Sequence, residues 1–368
     1  MKILFLDNSS LTPMEGDFCI DNKTGIFAKE LHSLGNEVTV YGQKVVTVDT
    51  THSYKLKEND IKVVGLNRRK NKLLNYFLLY VRIIPEIIKN DFIYIFYPTA
   101  YKFVPFLCWC FRRRYGLYIR GMQGIDDRVS HWNYKNAYTI FTVSDYFSSH
   151  VNQVINQKLA HTIRPMIPFT DKDIVTDRVY KVKQKFAILF LGRLDRDKGI
   201  VELLHAIKAL NDKNYSLELN LVGDGSFMQE VKKIVKDLEL EDIVNIRGAV
   251  FDLNRIKKFY IQADVFVLPT YHEGFPRTLY EAMIFGTPII TTFVGGIPAL
   301  MENRINCIEI KPKSIESLLK QLEFAIRNYD NMISFAKNGT TTVSKILNPN
   351  RLSHAKHLSK IISNECKS

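Results

Sequence analysis

Two glutamates stand eight positions apart in the stretch EGFPRTLYEAMIFGTPII, directly after a predicted strand. Glu273 precedes a turn made of Gly274, Phe275 and Pro276, whereas Glu281 falls inside the helix that the proline begins. An acid and nucleophile pair would have to flank one bond, but these two backbone settings favour separate duties. Each carboxylate can accept hydrogen bonds from vicinal hydroxyls, so one ribose and one hexose would account for both. In the competing interpretation, Glu273 only stabilises the helix dipole and Glu281 lies on the surface.

Basic residues follow an earlier predicted strand, FAILFLG, which ends at Gly192. Arg193 and Lys198 come next, just before a predicted helix. A guanidinium fork and an ammonium group at a helix amino terminus suit an anion, best a diphosphate. The following strand ends at Asp224 and Gly225, in a tight turn that lets the backbone approach a ligand closely. Taken alone, basic residues after a strand are more often simply solvated.

The segment VNIRGAV adds a third group at a strand end. Its Arg247, Gly248 and Val250 could flank a planar base through backbone groups.

The elements that must position these residues follow from the apolar pattern. From Phe186 onward, apolar runs alternate with amphipathic stretches, which is typical of strands and helices in a parallel, doubly wound sheet. The first half repeats the pattern less cleanly. The expected fold class is therefore α/β, with two Rossmann-like doubly wound domains that place the carboxyl ends of their strands at a central cleft. The predicted segments are a first domain at 1–170, a linker at 171–185, a second domain at 186–345, and a basic helix and tail at 346–368.

Composition limits the class of protein. The chain has 368 residues, a formal net charge of +13 and five cysteines, which are too few and scattered for a disulfide framework. No apolar stretch is long enough for a spanning helix, and the first apolar run stops at Asp7, as in a buried strand. A cytoplasmic protein with an anionic partner is expected. Part of the positive charge could instead reflect a Lys-rich, Asn-rich genome bias.

The ordered motifs GRLDRDKG, VGDG, EGFPRTLYEAMIFGTPII and GGIP resemble the donor domain of glycosyltransferase family 4, whose members are retaining enzymes with the GT-B fold. The resemblance covers about Phe186 to Ile310. It implies that Arg193 and Lys198 hold the diphosphate of a UDP- or GDP-sugar, that Glu273 faces the donor sugar, and that Glu281 binds the ribose. The implied donor-binding residues are Gly16, Gly192, Asp224, Gly225, Arg247, Gly248, Val250, Gly274, Phe275, Pro276 and Glu281. The chain departs from the family pattern at Ala299, where an acidic residue is common, and at Cys307, where glycine is common.

The resemblance is weaker in the first half, which would be the acceptor domain. Its glycine-rich first loop is reduced to Gly16 and Gly25, and YIRGMQG stands in place of a loop that often contains histidine. Arg120, Gly121 and Asp126 are the candidates for acceptor-side catalysis, together with Arg193, Lys198 and Glu273 on the donor side. Alternatively, Arg120 only neutralises a neighbouring carboxylate.

The mechanism expected from these residues is transfer with retention on one face of an oxocarbenium-like donor, with the leaving diphosphate taking the acceptor proton. Stabilisation of that diphosphate by the basic side chains and a helix amino terminus would supply most of the catalysis. Arg193 and Lys198 would replace the positive charge of a metal at the diphosphate, so neither a metal nor a cofactor beyond the nucleotide-sugar is expected.

Basic and aromatic residues cluster in the first half, in NRRKNKLLNYFLLYVRIIPEIIK and FVPFLCWCFRRRYG. They predict peripheral docking on an anionic membrane and a lipid-linked glycan acceptor, as in bacterial surface-polysaccharide assembly (capsule, O-antigen or lipopolysaccharide, exopolysaccharide). The same helix could instead be core. A dehydrogenase is disfavoured because no G-x-G-x-x-G follows the first strand, and nucleic-acid binding would not explain the ordered motifs. A GT-B sugar-nucleotide epimerase and a non-catalytic membrane scaffold remain the alternatives.

Overall fold

The computed structural model describes residues 1–7, 10–14, 16–44, 52–98, 100–120, 126–180, 184–274 and 276–363. The chain forms two compact units: unit 1 comprises residues 1–166 and the segment from Asn350 onward, and unit 2 comprises Ile167–Pro349. The candidate residues Gly121 and Phe275 lie outside the described residues.

Unit 1 is built around a parallel sheet. Its elements run in the order β1 (Lys2–Leu6), β2 (Thr12–Met14), β3 (Asp17–Asp21), α1 (Asn22–Ser33), β4 (Glu37–Lys44), β5 (His52–Lys55), β6 (Lys62–Asn67), α2 (Lys72–Lys89), β7 (Phe92–Tyr97), α3 (Val104–Cys110), β8 (Arg114–Ile119), α4 (Arg128–Lys135), β9 (Thr139–Thr142), α5 (Asp145–Ile155) and β10 (Ala160–Thr162). The described strands pair in the order β10-β9-β8-β7-β1-β4-β6, and β2, β3 and β5 form a small separate sheet. Strand β7, with the sequence FIYIFY, is buried along its whole length because parallel sheets are covered on both faces.

Unit 2 contains a second parallel sheet. Its elements are β11 (Phe186–Leu191), α6 (Ile200–Asp212), β12 (Leu217–Val222), α7 (Met228–Asp237), β13 (Val244–Gly248), α8 (Leu253–Gln262), β14 (Val265–Leu268), α9 (Arg277–Ile284), β15 (Ile289–Thr292), β16 (Ile308–Ile310), α10 (Ile315–Arg327) and α11 (Tyr329–Ile346). The strand order is β13-β12-β11-β14-β15-β16. The chain order therefore reverses between β11 and β14, which makes the crevice beyond their carboxyl ends the topological switch point of the sheet.

The boundary between the units falls earlier than the predicted linker at 171–185. Arg178, in the middle of that segment, is anchored on unit 2. Its guanidinium donates hydrogen bonds to the carbonyl oxygens of Tyr260 (3.2 Å) and Phe285 (2.9 Å) and to the Thr287 hydroxyl (2.8 Å). A side chain held by this many acceptors fixes its backbone, so the structure groups residues 167–185 with unit 2 and not with a linker.

The C-terminal segment returns to unit 1 as helix α12 (His354–Ser363). Its apolar face is buried, and it packs beside α1, where the Ser353 hydroxyl donates a 2.7 Å hydrogen bond to Glu30. The predicted segment 346–368 therefore divides, because Ile346 still belongs to α11 of unit 2 while the last helix is part of the unit 1 core. Among the described helices, none combines the length and the apolar character that crossing a bilayer requires.

Candidate functional site

The loops after β11 and β14 meet at the switch point of unit 2. The backbone N–H of Tyr271, in the loop after β14, donates a 2.7 Å hydrogen bond to the carbonyl of Asp197 in the loop after β11. At Gly199 the backbone has a φ of +69°, and an added Cβ would lie 2.1 Å from the Pro269 carbonyl oxygen. Only glycine allows this approach, so the GRLDRDKG motif holds the two loops together.

Lys198 and Glu273 form an ion pair across these loops. The Lys198 ammonium lies 2.8 Å from Glu273 Oε2, and the two side chains are only 12% and 19% exposed. The same ammonium lies 3.4 Å from the carbonyl oxygen of His272. A cation and a carboxylate, 75 positions apart in sequence, are thereby placed side by side at the switch point.

A third loop fixes the backbone of Glu273. The N–H of Gly296 donates a 3.1 Å hydrogen bond to the Glu273 carbonyl oxygen. Gly295 has a φ of +57°, and an added Cβ would lie 1.8 Å from that same oxygen. The GGIP motif after β15 therefore supports the loop that carries Glu273, a role for its glycines that was not predicted from the sequence.

Helices α6 and α9 begin beside this ion pair. Helix α6 starts directly after Gly199, and α9 starts directly after Pro276. Within the described part of the chain, no side chain caps the amino terminus of either helix. Uncapped first-turn N–H groups and the positive end of the helix dipole favour an anion at this position.

Arg193 lies apart from the ion pair in this structure. Its guanidinium pairs with Asp195 at 2.9 Å, and its side chain is 73% exposed. Asp195 also accepts a 2.9 Å hydrogen bond from the Ser226 hydroxyl, in the loop after β12. That loop is joined to the first by the Leu194 N–H, which donates to the Asp224 carbonyl at 3.0 Å. The structure thus places Arg193 on the rim of the loops, where the exposed side chain can reorient.

Glu281 is buried within α9, with 5% of its surface exposed. The alternative that placed it on the surface is therefore wrong. Its Oε2 accepts a 3.1 Å hydrogen bond from the hydroxyl of Tyr260 on α8. Burial, and next the nearby carboxylate, raises the pKa of Tyr260 well above its ordinary value, so the tyrosine stays a neutral donor. Glu281 is held in one orientation by this contact, and its ribose-binding role stays a prediction.

The other predicted donor-binding residues are distributed among the loops. Arg247 is exposed on β13 and donates a 2.9 Å hydrogen bond to Asn220, which directs its side chain along the sheet face. Gly248 has a φ of +67° and accepts a 2.8 Å hydrogen bond from the Gly223 N–H. The remaining members are Gly192, Asp224 and Gly225 in the loops after β11 and β12, Val250 after β13, and Gly274 and Pro276 after β14. Gly16 belongs to unit 1, in an exposed turn between β2 and β3.

The acceptor-side candidates belong to the carboxyl end of the unit 1 sheet. Arg120, directly after β8, lies 3.6 Å from the buried carboxylate of Asp7, which follows β1. Its guanidinium also lies over the rings of Phe96 and Tyr118, at 4.7 and 5.9 Å. Asp126 instead pairs with His150 on α5. The ion pair with Asp7 matches the alternative in which Arg120 neutralises a carboxylate, and the catalytic assignment of both residues is untested.

A supporting network was missed at the sequence level. The Tyr271 hydroxyl donates a 2.5 Å hydrogen bond to Glu202 in the first turn of α6, and the Lys313 ammonium lies 5.1 Å from the centre of the tyrosine ring. Burial and the Glu202 carboxylate raise the pKa of Tyr271. This network ties the loop of Glu273 to the amino terminus of α6. The position of Tyr271 two residues before Glu273 was the signal that could have identified it.

Comparison with known proteins finds a family-model match that lies within unit 2. Residues 172–342 match the family model described as "Glycosyl transferases group 1". An uncharacterized glycosyltransferase of Methanocaldococcus jannaschii is 32% identical over 131 residues, which is 36% of this chain and 33% of the relative. The amylovoran biosynthesis glycosyltransferase AmsK of Erwinia amylovora is 31% identical over 129 residues, 33% of this chain and 31% of AmsK. The chain thus spans about a third of the length of these curated relatives.

The fold is shared over a greater length than the sequence. The crystal structure of Anabaena HepE in complex with UDP-glucose has a TM-score of 0.68 to this chain, with 18% identity and 100% of both chains covered. The expected fold class, an α/β GT-B architecture with two doubly wound domains, is confirmed. The Lys198–Glu273 pair lies within residues 172–342, the part of the chain that is similar to the group 1 glycosyltransferases.

Proposed function

We propose that the protein is a retaining, metal-independent glycosyltransferase that moves a sugar from a UDP- or GDP-sugar to an acceptor hydroxyl. One observation carries the proposal: Lys198 and Glu273 lie side by side at the switch point, in the loops that lead into the uncapped amino termini of α6 and α9. An anion-binding end and a hydrogen-bonding carboxylate within one crevice fit the two ends of a sugar diphosphate.

The reaction follows from these groups. The bond between the anomeric carbon and the diphosphate oxygen breaks, and the electron pair leaves with the diphosphate. The acceptor oxygen bonds to the anomeric carbon on the same face, and its proton passes to the departing phosphate oxygen. Lys198, Arg193 and the first-turn N–H groups stabilise the developing negative charge as preorganised donors. These positive groups supply the charge that a divalent cation would otherwise bring to the diphosphate.

Glu273 has two partners in this scheme. Without ligand it neutralises Lys198, and with the donor bound the diphosphate takes the ammonium, which leaves the carboxylate to accept hydrogen bonds from the sugar hydroxyls. The diphosphate thereby takes the place of the Glu273 carboxylate beside Lys198, whose side chain is only 12% exposed. This exchange avoids leaving the buried ammonium without a negative partner.

The known proteins support the reaction class. HepE, which shares the fold, was crystallised with UDP-glucose, and AmsK acts in amylovoran biosynthesis. A UDP-linked donor and a role in polysaccharide biosynthesis are the matching proposals for this chain.

Donor binding is tested by ligand-observed NMR with a panel of UDP- and GDP-sugars, followed by calorimetric titration of the nucleoside diphosphate that binds. Lys198→Gln removes a charge-assisted contact and is expected to weaken that binding about tenfold or more. Glu273→Gln is expected to leave free-nucleotide affinity within about threefold and to lower turnover. Arg255→Gln, on the exposed face of α8, is the matched control. Unchanged affinity in Lys198→Gln would remove the diphosphate assignment, and turnover abolished by EDTA would remove metal independence.

We further propose that unit 1 docks on an anionic membrane surface, on the cytoplasmic side, to reach a lipid-linked glycan in bacterial surface-polysaccharide biosynthesis. The observation that favours this is an exposed apolar patch on α2 and the segment that contains α3. Its members, here called the aromatic patch, are Leu73, Phe77, Phe103, Phe106 and Trp109, which are 83%, 64%, 56%, 52% and 58% exposed.

The two halves of the aromatic patch are held together. The Tyr80 hydroxyl on α2 donates a 2.7 Å hydrogen bond to the Ala100 carbonyl and accepts one of 3.2 Å from the Phe103 N–H. The inner face of α2, with Leu79, Ile83 and Ile87, is buried, so only part of this helix is core. Apolar side chains that remain exposed beside basic residues are typical of an interface helix.

The arginines that flank the aromatic patch differ in how far they are already engaged within the protein. Arg68 and Arg69 are exposed ahead of α2. By contrast, Arg113 donates a 2.5 Å hydrogen bond to the Ile88 carbonyl, and the Arg114 guanidinium lies 5.1 Å from the centre of the Tyr138 ring. The first pair is therefore the better target for a charge test.

Liposome co-sedimentation tests the docking. Binding should require anionic lipid and fall with added salt. Replacing Arg68 and Arg69 by Ser should weaken it roughly 30-fold, because each basic residue contributes about 1 kcal/mol. The matched control replaces Lys232 and Lys233, an exposed pair on α7 of unit 2, by Ser. Equal binding to neutral vesicles, or an equal loss in both double variants, would favour a soluble acceptor.

A further inference from the structure

A polar cavity lies in unit 1. Its volume is about 440 Å³, within the roughly 300–1,000 Å³ range of small-molecule pockets. The walls come from α5, from the edge strand β10 and from the C-terminal segment that returns to unit 1. Ser148 and Ala160, which line it, are only 7% and 6% exposed, so buried residues form part of the wall of this open cavity.

Positive charge dominates the lining. Arg164 and Arg351 both line the cavity, against a single carboxylate, that of Asp145. Both arginines stand close in sequence to the points where the chain passes from unit 1 to unit 2 and back, after Met166 and before Asn350. Guanidinium groups present fixed donor forks that match the oxygen geometry of phosphates and sulfates.

Two histidines complete the lining. The rings of His161 on β10 and His357 on α12 lie 5.7 Å apart, and both border the cavity. Burial lowers the pKa of both imidazoles, and the neighbouring His161 and then Lys360 on α12 add to the effect at His357. The charged groups around this pair are Asp145 from α5, Arg164, Arg351 and, for His357, Lys360. Bringing a doubly charged anion among them would favour protonation of the imidazoles.

The hydroxyl groups of the lining are already engaged. Thr142 donates to the Ser144 carbonyl at 2.8 Å, Ser148 lies 2.7 Å from Thr142, and Thr162 lies 2.9 Å from Ser148. These hydrogen bonds join β9, α5 and β10 along the cavity wall.

We propose that this cavity binds a phosphate-class dianion, either a free oxyanion or the phosphate group of a small phosphorylated metabolite. The site is distinct from the diphosphate site at Lys198, which lies in the other unit. Two guanidinium forks and two protonatable imidazoles around a cavity of this size fit a tetrahedral dianion with a small organic body.

Sulfate is the first probe, because its charge is constant across the pH range used. The midpoint of thermal unfolding of the full chain is measured against sulfate concentration at constant ionic strength, since a ligand that binds the folded state raises it. Arg351→Gln is expected to weaken the apparent sulfate affinity about tenfold, and Arg351→Glu to abolish binding, while Arg255→Gln on α8 leaves it unchanged. An equal response in wild type and both Arg351 variants would overturn the proposal, and so would a response lost in Lys198→Gln.

Two further experiments identify the class of ligand and test whether the histidines take part in binding. Glucose 6-phosphate and inorganic phosphate are compared, with glucose as the uncharged control. A tenfold preference for the sugar phosphate identifies a metabolite site, and equal affinity identifies a free-oxyanion site. Lowering the pH from 8 to 6 should strengthen sulfate binding as His161 and His357 protonate, and His357→Gln should reduce this gain. Sulfate affinity that is the same at both pH values would contradict the participation of the imidazoles.

Discussion

Replacing Glu273 by Gln leaves the Lys198 ammonium without the carboxylate that lies 2.8 Å away. The contribution of this ion pair to folding can be isolated by a double-mutant cycle that combines Glu273→Gln with Lys198→Gln. The chain offers a matched control on the neighbouring helix α6, where Lys208 and Asp212 are also 2.8 Å apart but are 31% and 56% exposed.

The contribution of this ion pair to the free energy of unfolding follows from the distance between the two charges and from their burial. Two unit charges 2.8 Å apart attract by about 6 kcal/mol at an effective dielectric constant of about 20, and desolvation and side-chain entropy offset much of this. Exposed pairs contribute about 0.2–1 kcal/mol, whereas breaking a fully buried pair costs about 3–5 kcal/mol. With exposures of 12% and 19%, each single substitution should lower the free energy of unfolding by about 1–3 kcal/mol. The coupling energy should be about 1–2 kcal/mol and should clearly exceed that of the exposed control pair.

The assay is denaturant unfolding followed by two signals. Both tryptophans, Trp109 and Trp132, belong to unit 1, so far-UV circular dichroism reports both units while tryptophan fluorescence reports unit 1. The substitutions should shift the dichroism transition and leave the fluorescence transition in place if the units unfold separately. A coupling energy at Lys198 and Glu273 no larger than that of the control pair would refute the reasoning.

Three more predictions concern the supports of the fold. Gly295→Ala places a Cβ 1.8 Å from the Glu273 carbonyl oxygen at a φ of +57°. Unit 2 should therefore lose more than about 2 kcal/mol of stability, which the same dichroism assay measures. The control Gly35→Ala, at a φ of +85° with open space around it, should cost less. Arg178→Ala leaves several buried acceptors unsatisfied and should lower the free energy of unfolding by about 3 kcal/mol or more. Full stability and unchanged protease resistance in this variant would contradict the anchoring of residues 167–185. Burial lowers the pKa of His354 well below its ordinary value, so this group binds a proton in the unfolded chain near pH 6.5 but not in the folded chain. The stability of unit 1 should therefore fall as the pH drops below about 6.5, by up to about 1.4 kcal/mol per pH unit, and His354→Gln should show a shallower slope in denaturant unfolding; parallel slopes would remove this histidine as the cause.

The pattern of apolar residues determined most of the secondary structure. Runs such as FIYIFY and FAILFL predict strands buried on both faces, and the structure has β7 and β11 at these positions. The small sheet of β2, β3 and β5 was not predicted, because segments as short as Thr12–Met14, with three residues, cannot show an apolar period. Helix α12 was expected, but its place in the unit 1 core was not, because it contacts residues far away in the chain, such as Tyr94, which lies 260 positions before His354.

The sequence also determined the local settings of the two glutamates. Pro276 and the apolar period after it put Glu273 ahead of a helix and Glu281 within it, and α9 begins at Arg277 as these signals require. The burial of Glu281 under Tyr260 could not be read from the chain, since an i to i+21 contact between α8 and α9 depends on how both helices pack.

Only the tertiary structure decided which basic residue faces which carboxylate. Arg193 and Lys198 are equivalent in the sequence, as two cations after one strand, yet Arg193 pairs with Asp195 while Lys198 pairs with Glu273. The difference arises because β14 lies next to β11 in the sheet, although β12 and β13 come between them in the chain. Strand order depends on non-local hydrogen bonding and on the burial of both sheet faces, neither of which is encoded in any short segment. The sequence therefore supplied the groups, and the sheet brought Lys198 within 2.8 Å of Glu273.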